Sequence, residues 1–280
     1  MIWDILLDAL IDTAKSIPFL FLAYLLMEFI EHKASEKMEN ALKKIGAAGP
    51  AVGAGLGCIP QCGFSASAAN LYTAGVITEG TLISVFISTS DEAVPILLSS
   101  PESYGAVWKL ILFKLLIGIL FGFAIDIALR LMKIKKQPIE MCSRCGCEEE
   151  GGIFKPALRH TLKISVFILA VNIVLGLLIG LLGEERLSAI LLSGSFAQPF
   201  ITALVGLIPN CAVSVMLTQL YVGGSISFGA AMAGLCSGAG IGLAVLLKSN
   251  TCKKENVRIV ITLYLISALA GVIIMLTGIK

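Results

Sequence analysis

The chain is 280 residues long, 57% hydrophobic and only 14% charged, with a mean hydropathy of +0.92; this excludes a soluble domain with a charged surface and puts most of the chain in lipid. A net charge of +2 offers no basic surface for nucleic acid, and no Gly-Lys-Ser/Thr phosphate loop is present to make the chain an ATP-driven pump by itself. The 28 Gly suit close helix approach in a bilayer, where hydrophobic exclusion cannot drive helices together.

Asp4, Asp8 and Asp12 precede the first long apolar run, Ile17 to Ile30, so that run is expected to be a retained span; a signal peptide would open on positive charge. A spanning helix needs about 20 apolar residues, and the clear candidates lie at 14–31, 81–99, 107–132, 159–182, 228–247 and 257–279. Two further stretches, 45–77 and 189–224, are rich in Gly, Ala and Ser and interrupted by Pro60 and Pro209, each long enough for two short helices. The expected fold is therefore all-α, a polytopic membrane bundle of ten segments. Its first transmembrane repeat is 1–132, its linker 133–156 and its second repeat 157–280.

A shift of 149 positions superposes 50–98 on 199–247 without a gap, with 15 of the 49 positions identical. The matches include Pro50/Pro199, Ile59/Ile208, Pro60/Pro209, Cys62/Cys211, Ser65/Ser214, Tyr72/Tyr221, Gly75/Gly224 and Gly80/Gly229. Lys109 falls on Arg258, and both are expected to anchor at an interface by snorkelling. Five crossings per repeat would set the second half upside down in the membrane. Charge agrees. Lys33, Lys37, Lys43 and Lys44, then Lys133, Lys135, Lys136, Arg144, Lys155 and Arg159, then Lys248, Lys253, Lys254 and Arg258 all fall on one side. The positive-inside rule makes that side cytoplasmic, with both termini outside the cytoplasm, in the cell (inner) membrane. Of the eight Cys, Cys142, Cys145 and Cys147 lie in the linker, where free thiols are the default in a reducing cytoplasm.

Gly57-Cys58-Ile59-Pro60-Gln61-Cys62 and Gly206-Leu207-Ile208-Pro209-Asn210-Cys211 sit in the two small-residue stretches. Pro lacks an amide hydrogen and displaces the backbone before it, so each motif is expected to end one short helix and begin another. Lipid offers no partners for the freed carbonyls and amides, so such backbone is tolerable only inside protein or beside a watery cavity. Gln61 and Asn210 add polar side chains at the breaks, and Ser65, Ser67, Asn70, Ser214, Thr218 and Gln219 follow them. The competing reading is of Pro kinks with small Cys residues filling helix contacts. Cys62 and Cys211 are either soft-metal ligands or packing residues.

The fourth segment of the first half carries Ser88-Thr89-Ser90-Asp91-Glu92-Ala93-Val94-Pro95, where the second half has Gly240 and Ile241 against the acidic pair. Ionisable groups at depth are costly and tend to face a cavity. Asp91 or Glu92, with Ser88 and Ser90 beside them, is thus expected to form the one acidic ion or proton site of the chain, unless the segment breaks near an interface and the pair reaches water. In the linker, Cys142, Cys145, Cys147 and the more distant His160 could hold a metal, or belong to an unstructured connection.

On these residues the chain resembles the family of ten-span heavy-metal exporters related to arsenic permeases, also labelled manganese transporters. The resemblance rests on the five-plus-five plan, the two Gly-x-Ile-Pro-x-Cys motifs, the Ser-Thr-Ser-Asp-Glu-Ala segment at 88–93 and the ligand-rich linker running into Arg159-His160-Thr161. The family's linker is typically richer in His. The resemblance implies export of a metal or metalloid ion. Manganese would favour Asp91 and Glu92; arsenite or a soft metal would favour Cys62, Cys211 and the linker thiols. An organic or inorganic anion coupled to protons, and a membrane metal sensor, are the alternatives. A membrane enzyme is disfavoured because His32 and His160 both lie near membrane ends. The expected partners are the lipid bilayer, a small ion substrate and a coupling proton or cation, with homo-oligomerisation left open; no cofactor and no nucleic acid are expected.

Overall fold

The computed structural model describes residues 48–58, 62–89, 93–99, 104–132 and 196–278, together with runs of one to three residues between 6 and 25 and between 154 and 177. Among the described residues the regular structure is helical and there is no strand. The elements are α1 (48–57), α2 (Cys62–Thr73), α3 (Glu79–Ser88), α4 (Ala93–Ser99), α5 (Tyr104–Leu131), α6 (Gln198–Gly206), α7 (Cys211–Val222), α8 (Phe228–Ser237), α9 (Ile241–Ser249) and α10 (Lys253–Leu276). Among the described residues three stretches are long and apolar enough to cross a membrane: α5, α10, and Phe228–Ser249, which is α8 and α9 in succession.

Local chemistry places the ends of these helices. Both α2 and α7 close on a glycine in the left-handed region, Gly75 (φ 77°) and Gly224 (φ 72°), which a side chain would strain. The next amide in each case reaches back five residues, Val76 N–H to Leu71 O at 2.9 Å and Ser225 N–H to Leu220 O at 2.8 Å, satisfying a carbonyl the helix end leaves over. The following helices α3 and α8 are capped by Thr78 and Ser227, whose hydroxyls accept from Thr81 N–H and Ala230 N–H at 3.2 Å each. These paired features stand 149 residues apart, the offset of the aligned halves.

The helices approach closely where side chains are small. α3 lies along α5 and α8 along α10. A methyl on Gly80 would strike the Gly122 carbonyl and the Asp126 carboxylate; one on Gly229 would strike the Gly271 carbonyl and Met275. The second close set joins residues far apart in sequence, with α2 crossing α9. The largest buried apolar cluster runs through Tyr72, Phe86, Leu110, Met232 and Ile259 and so spans both parts of the chain. On the outside, α5 exposes Trp108, Leu112, Leu116, Leu120 and Ile127, and α10 exposes Val257, Ile261, Leu265, Leu269 and Ile273. Apolar stripes at helical spacing turned away from the core suit lipid rather than water.

Candidate functional site

The interrupted helices meet in the interior of the bundle. α6 ends at Gly206 and α7 starts at Cys211, with Leu207, Ile208, Pro209 and Asn210 outside both. Pro209 has no amide hydrogen, and the Asn210 N–H turns back to Ile208 O at 2.8 Å. The other interruption lies between α8 and α9, where Gly238 and Ala239 leave the helix and Gly240 takes φ 52°. The Ala239 N–H donates to Ser237 O, so it is not spent on the Leu235 carbonyl as it would be in a continuous helix.

These two interruptions face one cleft, lined by Gly206, Asn210, Ser214, Gly234, Gly238 and Gly240 among others. The space open to the centre of a water-sized sphere is about 10 Å³, room for about one water. Asn210 and Ser214, chosen from the sequence for their place beside Pro209, therefore lie against the stretch that matches Asp91 in the other half. Ser65 and Ser88 are fully buried. Ser65 sits where α2 and α9 cross, so close that a methyl on Gly242 would strike its backbone. The Ser88 hydroxyl donates to Ser84 O at 2.8 Å and Val85 O at 3.2 Å and fills the space beside Gly57.

Cys62 and Cys211 open α2 and α7, but their side chains lie outside the described residues. So do Pro60, Gln61, Ser90, Asp91, Glu92, Cys142, Cys145, Cys147 and His160. Among the described residues no three His, Cys, Asp or Glu side chains converge as a metal cluster.

Sequence reading passed over the group at the centre. Lys114, eleventh residue of α5, is fully buried, and its ammonium donates to the Thr89 carbonyl just past the end of α3 and to the Leu235 carbonyl in the last turn of α8 at 2.7 Å. The signal available was a lysine interrupting the apolar run 107–132.

Two further acidic side chains, Glu79 and Asp126, are buried in the bundle. Asp126 is held by hydrogen bonds: Gly80 N–H donates to its Oδ1 at 2.9 Å and the Thr78 hydroxyl to its Oδ2 at 2.7 Å, so it secures the start of α3. Glu79 forms an ion pair with Arg258, whose Nε donates to Oε1 at 3.0 Å and whose Nη2 reaches Oε2. Arg258 is thus a partner of a buried carboxylate and not the snorkelling anchor expected from its place near a span end; a desolvated carboxylate draws the fork-shaped guanidinium inward. The Tyr72 hydroxyl lies 3.4 Å from Glu79 Oε2 and 3.3 Å from Glu255 Oε2, and Asn250 Nδ2 donates to Glu255 at 3.3 Å. This network links the α2–α3 turn to the α9–α10 turn at one end of the bundle.

Apolar stripes on the outside, helices interrupted in the interior and ionisable groups buried among them define a multi-pass helical membrane protein. The chain belongs to the family described as "Putative, 10TM heavy-metal exporter", whose model matches residues 1–184. The family places it among membrane transporters. No curated protein and no solved structure matches the chain significantly.

Proposed function

We propose that the protein is a secondary transporter exporting a heavy-metal or metalloid ion, such as manganese or arsenite, by alternating access between two inverted five-segment halves. The observation that carries this reading is the cleft where Asn210 and Ser214 meet Gly238 and Gly240, two helix interruptions sharing one interior space. Interrupted helices supply carbonyls and amides that are otherwise spent within the helix, and such groups line ion pathways near the bilayer midplane. The common offset of helix bounds, caps and glycine contacts in the two halves supports the repeat. An odd number of crossings in each half would invert one against the other.

The site is proposed to draw on both interrupted motifs. Asp91 and Glu92, with Ser88 and Ser90, would supply hard oxygen ligands or carry a coupling proton. Pro60, Gln61, Cys62 and Ser65 would work with Pro209, Asn210, Cys211 and Ser214, the two thiols favouring a soft ion. Cys142, Cys145, Cys147 and His160 would capture metal on the cytoplasmic side, with 133–156 as the linker.

The test is uptake of manganese, zinc, cadmium and arsenite into sealed proteoliposomes with and without a proton gradient. Wild type is compared with Asp91→Asn/Glu92→Gln. Saturable flux of one ion, lost in the folded variant, is the expected outcome. Equal flux in both proteins would remove the acidic pair from the site, and flux of none of these ions would remove metal export.

A further inference from the structure

Lys114 stands where a long span should be apolar. Counting about 1.5 Å per residue from Tyr104, its backbone lies about 15 Å along α5, close to half of a hydrocarbon core of about 30 Å. A charge at that depth persists only with strong partners. Two of its partners are backbone carbonyls, Thr89 O and Leu235 O, and they come from the C-terminal ends of two different helices. Helix C-termini carry partial negative charge and carbonyls without an amide partner. Two such ends converging on one point make a cation site, the arrangement by which interrupted helices in membrane transporters hold coupling ions. Here a side chain reaches it. The position matching Lys114 in the second half is Leu263, also fully buried, so the chain has this arrangement at one of two comparable places.

We propose that Lys114 is a built-in monovalent cation: its ammonium fills a carbonyl site between the ends of α3 and α8 that would otherwise take an alkali-metal ion, so the protein needs no sodium or potassium there. The inference rests on the transporter reading of the interrupted helices and adds to it the identity of the ion at this place. It makes Lys114 a tie between the halves, since Thr89 belongs to the first and Leu235 to the second. It also makes the carbonyl pair a latent site. A shorter polar residue at 114 would withdraw the ammonium from both carbonyls, and the space vacated by the lysine would admit an alkali ion with water around it.

The experiment uses the purified full chain and reads thermal unfolding in sodium, potassium or choline chloride at equal ionic strength. Wild type should unfold at one temperature in all three. Lys114→Ser should unfold earlier in choline and regain about 5 °C or more in sodium or potassium, saturating with concentration. Leu263→Ser, at the matching place in the second half, should show no such gain. The proposal is overturned if Lys114→Ser is indifferent to the salt, if wild type shows the same alkali dependence, or if Lys114→Ser yields no folded protein in any of the salts. Flux is not measured. A negative result therefore leaves transport standing, and absent flux in proteoliposomes leaves the binding result standing.

Discussion

Glu79 and Arg258, 179 positions apart, form a two-point ion pair between the start of α3 and the first turns of α10. Glu79 is 6% exposed and the Arg258 side chain 34%, so the carboxylate depends on the guanidinium more than the reverse. Arg258→Gln should therefore destabilise the protein by about 2 kcal/mol, between the small value of an exposed pair and the 3–5 kcal/mol of a fully buried one. Glu79→Gln should cost less, because no charge is left buried. Thermal unfolding of both variants checks this, and equal losses would mean the pair is held as weakly as a surface one.

The Asp126 carboxylate accepts from the Gly80 amide and the Thr78 hydroxyl. Asp126→Ala should leave that buried amide without its acceptor and cost about 1–3 kcal/mol, while Asp126→Asn, keeping one carbonyl oxygen, should lose less. With Thr78→Val added, the two losses should fall short of their sum because the residues share a bond. Additive losses would show that the hydroxyl contact carries no weight.

Close helix approach depends equally on Gly80 and Gly229. Gly80→Ala and Gly229→Ala should each destabilise by about 1–3 kcal/mol, as overpacking does, since each methyl would meet a backbone carbonyl and not a flexible side-chain end. Gly55→Ala, with open space around it, should instead be neutral or stabilising. Unfolding temperatures of the three variants rank them directly.

Ser214 lines the narrow cleft with Asn210. Ser214→Leu should fill it and reduce flux at least about tenfold, a barrier change of about 1.4 kcal/mol, while the protein still folds. Leu204→Ala, on the exposed face of α6, should leave flux unchanged. Flux in proteoliposomes together with the unfolding temperature separates a filled pathway from a damaged fold.

The class of the protein was legible in one dimension because lipid imposes a length: runs of about 20 apolar residues with little charge leave few folds other than a helical bundle. Some local features sit beside residues already conspicuous in the sequence: α6 ends at Gly206 and α7 starts at Cys211, on either side of Pro209, and Asn210 and Ser214 line the cleft there. Lys114 was passed over because the partners that hold it are backbone carbonyls, which no side-chain pattern labels, and one of them is 121 positions away. Arg258 was misread because a span end with a basic residue has the same pattern whether the charge reaches water or a buried Glu79. What the sequence determined by itself is where the chain must be helical, apolar or interrupted, since those follow from neighbours along the backbone. Which interruptions share a space, and which buried charge answers which carbonyl, was decided by tertiary structure, because desolvation and pairing depend on distance in space.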